Sequence, residues 1–343
     1  MSAKILESFG SKLAEQWVAT LLTPAFVFWA GGVAAGLQRF GWKPANTWFS
    51  QQSEPLQIAL LVGGFCLIVA SAFVVQRFDL PVLRFLEGYW HPWLRPLCRW
   101  LIARGKKRSQ GIEDRKQTLE QLDEQSQQFA ALNLLQLTDQ QRDEAIQLIW
   151  HIKNRPQSHK KQLQKLTNQD LAQRFTQAIA ELKDEWISLD WQQHYRPLDN
   201  QLMPTRLGNI LRAAEQRPLE KYGLDAIVCW SRLWLLLSDA VKKDLQEARA
   251  DLNAAIRIWL WSLLFILWTI WAWWAAPVGI ISAIFAYYYW AVDAARNYGE
   301  LIEATFDLHR HLLYQSLRWN LPPDPNEERR VGRQLTEYLW RGF

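Results

Sequence analysis

The feature that most constrains this chain is the stretch 238–319, where two long apolar runs are joined at a proline and flanked on their outer sides by charged helical sequence. Its first leg, 238–276, has no internal proline or glycine. At 1.5 Å per residue it measures about 57 Å, roughly twice the hydrocarbon thickness of a bilayer, so it must protrude from one. The first half is charged (Lys242, Lys243, Asp244, Glu247, Arg249, Asp251), whereas 256–276 holds only Arg257, at its edge. Val241, Leu245, Ala248, Leu252, Ala255, Trp259 and Ser262 alternate spacings of four and three, which predicts one packing seam running from an aqueous stalk into a transmembrane span. The return leg is apolar over 278–292 and then charged through Glu300, Glu303, Asp307 and Arg310. An antiparallel hairpin turning over 275–279, around Pro277, predicts pairing of Arg249 with Glu303 and of Arg257 with Asp293 or Glu300.

Two further runs lack charge. Residues 17–37 contain Gly32 and Gly36 at small-xxx-small spacing, and 55–75 contain Gly63 and Gly64. Both read as spans with a close-packing or pore-facing side, packed together as a hairpin. The lead-in 1–16 is amphipathic and too acidic for a signal peptide, so the first span is expected to be retained. Eight basic residues follow the second run (Arg77, Arg84, Arg95, Arg99, Arg104, Lys106, Lys107, Arg108), against two, Arg39 and Lys43, in the preceding linker. That asymmetry predicts four spans with both termini cytoplasmic, in a bacterial inner membrane. The 21 tryptophans fit this setting. Trp271, Trp273 and Trp274 would form one interfacial belt, and Trp259, Trp261, Trp290 and Tyr287 to Tyr289 the other.

The expected fold class is therefore all-α: a polytopic membrane protein of four transmembrane helices, with a cytoplasmic helical domain continuous with the last two spans. Its divisions would be an N-terminal hairpin (1–76), an interfacial basic amphipathic segment (77–108), a cytoplasmic helical domain (109–237), the long hairpin (238–319) and a tail (320–343). In the interfacial segment Leu83, Leu86, Trp90, Trp93, Leu97 and Trp100 form a stripe, while Arg84, Arg95 and Arg99 fall largely to the other side. Arg84, Trp90, Arg95 and Arg99 are its expected contacts with anionic lipid. Pro92 and Pro96 must break this helix into pieces. Thr138 and Gln141 form a capping box opening a helix that Arg155-Pro156 closes, and Leu171, Phe175, Ile179, Leu182 and Trp186 predict an amphipathic helix over 167–189. Further on, Leu207, Ile210, Leu211 and Ala214 share the face of a helix that Pro218 should end. Asp225 caps a short apolar helix carrying Arg232, and the tail closes with an amphipathic helix.

Chemistry is sparse. Nucleotide, serine-hydrolase, zinc and dinucleotide signatures are missing, and Cys66, Cys98 and Cys229 are too dispersed for a metal site or disulfide framework. His309 and His311, two apart on a helix, point away from each other. No cofactor, no metal site and no enzymatic activity are expected. The basic cluster around Lys153, Lys160 and Lys165 lacks aromatic interleaving, which argues against nucleic acid as a partner. Arg232, Arg257 and Asp293 stand out as candidates for a polar site. The layout, with both ends inside and a large helical insert between spans two and three, is similar to that of bestrophin-type anion channels. The expected function is a homo-oligomeric channel or pore gated through its cytoplasmic helices. The alternatives are a non-conducting scaffold that recruits a cytoplasmic protein and an interfacial lipid-active enzyme. The expected partners are membrane lipids, further copies of the chain and possible cytoplasmic proteins.

Overall fold

A computed structural model describes residues 22–130, 138–153, 163 and 166–342 of the chain. Among them every regular element is helical. The expected lead-in 1–16, the start of the first span at 17–21, the Arg155-Pro156 helix stop and most of the basic cluster lie outside the described residues. The chain divides into two compact units, Met1–Cys98 with Met203–Phe343, and Arg99–Leu202.

In the first unit, α1 (Thr23–Phe40) is followed by the short α2 (Trp42–Ser50) and by α3 (Glu54–Gln76), with α4 (Asp79–Glu87) next. Three helical stretches among the described residues are long and apolar enough to cross a membrane: Glu54–Gln76, Asp239–Ile270 and Ala275–Ser316. α1 packs on α3 and on the long hairpin through Ala25, Phe28, Ala72, Val75 and Trp261, and the Trp29 indole donates to Ser71 Oγ at 3.1 Å. Gly32 and Gly36 lie against aromatic rings of the hairpin, Trp268 and Trp271 respectively. A Cβ on Gly32 would overlap the Trp268 indole, so the absent side chain there makes room for a ring.

The hairpin's first leg is α10 (Asp239–Phe265), capped by Ser238 and extended by a 3-10 turn to Ile270; its return leg is α11 (Ala275–Phe285), a π-helical turn Ala286–Ala291 and α12 (Val292–Ser316). Leu245, Ala248, Leu252, Ala255 and Ser262 are buried along one line, with Trp261 beside them. The turn falls over Trp271–Trp274, about four residues before the expected place, and Pro277 sits inside the first turn of α11, where its missing N–H costs no helical bond. In an antiparallel pair, moving the turn by about four residues moves cross-leg partners by about eight. The expected pairing of Arg249 with Glu303 is accordingly replaced: the Arg249 guanidinium lies 5.4 Å from the Tyr298 ring centroid, and Glu303 takes Lys221 instead.

Below the apolar runs, α8 (Arg206–Tyr222), α9 (Ala226–Leu236) and α13 (Pro325–Arg341) pack around α10 and α12. Their common core holds Leu224, Cys229, Leu233, Leu245, Phe306, Leu313, Tyr314 and Leu335. Pro218 does not end α8. The helix continues to Tyr222 and stops at Gly223, whose left-handed φ of 73° closes it. Asp225 caps α9 by accepting from the Ile227 and Val228 amides at 2.8 and 3.1 Å.

The second unit contains most of α5 (Arg95–Ala130), with α6 (Asp139–Lys153) and α7 (Asn168–His194). The capping box forms at the start of α6: Gln141 Oε1 accepts from the Thr138 amide at 3.0 Å, and Thr138 Oγ1 from the Gln141 amide at 3.4 Å. Leu171, Phe175 and Leu182 of α7 meet Leu119, Leu122, Ile146 and Ile149 in a continuous apolar core. Antiparallel α5 and α7 are tied by the two-toothed Arg115–Glu185 pair at 2.8 and 3.0 Å and by Lys116–Asp190 at 2.8 Å.

Candidate functional site

Polar chemistry in the first unit concentrates where α4 and α8 meet the hairpin. α4 starts right after span α3, so its first residue, Asp79, stands at the end of an apolar run, as Arg257 does on α10. The Arg257 guanidinium grips the Asp79 carboxylate in a fork, with contacts of 2.8, 3.1 and 2.6 Å, and both side chains are largely buried. This replaces the expected pairing of Arg257 with Asp293 or Glu300. Asp293 lies on an exposed turn of α12 and pairs with Arg296 at 2.8 Å. A largely buried arginine at the edge of an apolar run needs a carboxylate beside it, and α4 supplies one from a distant part of the sequence.

The other end of α4 plugs into the start of α8. Its last turn is closed by Gly88 with φ 104°, and Thr205, the N-cap of α8, donates its hydroxyl to the Glu87 carbonyl at 3.0 Å while accepting from the Gly208 amide at 3.0 Å. Gly208 lets the two backbones touch: a Cβ there would overlap the Glu87 carbonyl oxygen. From the hairpin's π-helical turn, Tyr287 turns its hydroxyl oxygen toward the Leu207 amide at 3.4 Å. A π-turn rotates the following helix relative to the preceding one, which aims Tyr287 at the α8 N-terminus.

Two carboxyls share this joint. Burial, the nearby Glu215 charge and partial relief from Arg249 and Arg84 leave Glu87 pushed up to about 6, so it titrates close to neutrality. Burial also raises Glu215, against the pull of Arg212, whose Nη1 lies 3.3 Å away. Nearly two turns further on, Lys221 bridges α8 to Glu303 at 2.6 Å and Asp307 at 3.1 Å on α12. Burial alone would lower Lys221, but its bonds to the two carboxylates outweigh this and hold it above the ordinary lysine range. Tyr222 donates to Asp307 at 2.7 Å, and Arg310 stacks 4.0 Å from the Tyr222 ring centroid while reaching Glu328 of α13 at 2.7 Å. The network clamps α8, α12 and α13 into one layer.

The residues singled out from sequence are dispersed. Arg232 is exposed on α9 and donates to the Val228 carbonyl of its own helix at 2.8 Å. No hydrogen bond or ion pair joins Arg232, Arg257 and Asp293 to one another. Arg84 is exposed in the last turn of α4, Trp90 is half-buried with its indole donating to the Phe85 carbonyl at 2.7 Å, and Arg95 and Arg99 are exposed on α5. Gly63 and Gly64 of α3 face open space. Among the described residues no three His, Cys, Asp or Glu side chains converge as metal ligands. Asp79, Glu87, Glu215, Lys221 and Glu328 were not singled out beforehand. Only Asp79 carried a usable signal, a lone acid directly after a span.

These features define an all-helical protein with three helices able to cross a bilayer and a charged, interlocked layer at the ends of two of them. No family model, curated protein or solved structure matches the chain.

Proposed function

We propose that the chain is a four-span membrane protein with both termini on the cytoplasmic side, and that it acts as a homo-oligomeric pore gated through its helices outside the bilayer. The observation that carries this reading is the bareness of α3. Only 11% of its most apolar window is buried within the chain, and a Cβ placed at Gly63 or Gly64 would meet nothing within 4 Å. A glycine pair on a face of α3 that no described residue covers suits close approach by a helix of another copy. Coupling would run from the layer of α8, α12 and α13 through the unbroken α10 and the Arg257–Asp79 pair at its apolar boundary. Light scattering on the detergent-purified protein should give a closed oligomer, and single-channel recording on the same sample should show conductance. A monomer or dimer that stays silent in bilayers refutes the pore.

A second reading, a scaffold that recruits a cytoplasmic protein, is favoured by one observation in the Arg99–Leu202 unit. There, a groove of about 530 Å³ is lined by Leu119, Leu182, Trp186 and Ile187 together with three acids, Glu120, Asp123 and Glu124, and one lysine, Lys183. Such a groove suits a basic amphipathic helix. An oligomer that never conducts but binds a soluble protein through residues 99–202 would favour this reading over the pore.

A further inference from the structure

A second cleft, of about 480 Å³, opens between α9, α10 and α12. Its lining is aromatic: Trp230 and Trp234, with ring centroids 6.0 Å apart, and Tyr298. Arg249 lies in the cleft with its guanidinium against Tyr298, and among the described residues no carboxylate stands within ion-pair distance of it. One turn toward the apolar run, Asn253 has a buried Oδ1 that no described donor reaches. Gln246 and Ser231 add exposed polar groups at the mouth, and Ile227 and Leu235 flank Ser231 on the outer face of α9, 66% and 76% exposed.

These groups specify a ligand. A guanidinium that feels the Glu87 charge from a distance but makes no direct ion pair can still take an anionic acceptor, and a buried amide oxygen without a donor calls for a hydroxyl or amine. The aromatic walls fit an apolar or polyol body, and the exposed Ile227 and Leu235, one turn either side of Ser231 on α9, fit an acyl chain. Arg249 lies eight residues from Arg257 on one helix, about 12 Å along its axis, and Asn253 about 6 Å, so the cleft opens near the level where phospholipid headgroups lie. We infer that this cleft binds an anionic phospholipid whose headgroup carries free hydroxyls, its phosphate on Arg249, a headgroup hydroxyl donating to Asn253 Oδ1, and its glycerol region between Trp230, Trp234 and Tyr298. The site rests on the reading of the chain as a membrane protein. It is separate from the interfacial arginines Arg84, Arg95 and Arg99, which are exposed and offer charge without a cavity.

The test uses the full-length protein, purified in detergent and stripped of lipid, with occupancy read by native mass spectrometry. Phosphatidylglycerol should bind at lower concentration than phosphatidylcholine of the same chains. Arg249→Gln should weaken phosphatidylglycerol roughly tenfold, as expected for loss of a charge-assisted contact. Ser231→Trp, at an exposed position, should fill the mouth and abolish the preference without disturbing the fold, which circular dichroism checks. Millimolar inorganic phosphate should not displace the lipid, since it has neither hydroxyl-bearing body nor chain. Equal binding of both lipids, unchanged occupancy in both variants, or complete displacement by inorganic phosphate overturns the assignment. Failure of the underlying reading looks different, because the protein would then stay in aqueous buffer without detergent.

Discussion

The Arg257–Asp79 pair allows the most quantitative test of how the hairpin is held. Its side chains are 12% and 16% exposed, and three contacts of 2.6 to 3.1 Å make it a two-toothed pair. With charge centres about 4 Å apart and an effective dielectric near 20, the attraction is about 4 kcal/mol, of which desolvation of the two ions removes a substantial part. A coupling of about 2 kcal/mol remains. Asp79→Asn strands a guanidinium and Arg257→Gln strands a carboxylate, and each should cost about 3 kcal/mol. The double variant, with neither charge left to strand, should cost about 4 kcal/mol rather than the additive 6. Unfolding in mixed detergent micelles, followed by circular dichroism for the parent, both single variants and the double, measures all four corners. Because the pair is largely buried, the coupling should change little with added salt. Additivity within about 0.5 kcal/mol would falsify the claim that these two groups hold α4 to the hairpin.

Two further outcomes concern the joint between α4 and α8. Gly208→Ala places a methyl against the Glu87 carbonyl, so α4 must lift from α8; a thermal melt should show a loss of about 2 kcal/mol, and hydrogen exchange should rise in both helices. For Glu87, a folded pKa of about 6 above the ordinary 4.5 means that the folded state holds the proton more tightly. Stability therefore falls as pH rises from 4.5 through 6 and levels off above, by at most about 1 kcal/mol once solvent screening of this half-buried group is discounted. Glu87→Gln should flatten that slope and leave the protein more stable than the parent at pH 7.5, as denaturation at a series of pH values would show.

Much of the local structure was legible along the chain, because its causes are local. Spacings of four and three place Leu245, Ala248, Leu252 and Ala255 on one helical face, and that face is buried. Asp225 and the Thr138–Gln141 box cap the helices they were expected to cap, since capping needs only an oxygen within three residues of an orphan amide. The interfacial segment is broken as expected, but the break is made by Gly88, whose left-handed φ ends α4; Pro92 opens the 3-10 turn that follows and Pro96 sits in the first turn of α5, where a proline is tolerated.

What tertiary structure decided were the choices among locally equivalent options. The run 258–292 is apolar nearly throughout, so nothing in it marks one point over another as the turn. Pro277 is tolerated in the first turn of α11, and the reversal falls instead at Trp271–Trp274, next to the Phe265 and Trp268 contacts with α1. That shift then decided every cross-leg partner, including the loss of Arg249–Glu303. Pro218 stays helical because α8 is held along its length by buried Leu207, Ile210, Leu211 and Ala214, whose burial outweighs one missing backbone bond. Asp79 and Arg257 are separated by 178 residues, and only the folded chain brings them to one depth. The sequence by itself determined which residues are helical, which face of each helix is apolar and which runs can lie in lipid. The fold decided where the hairpin turns and which charge meets which, because those depend on contacts between distant segments that no local pattern encodes.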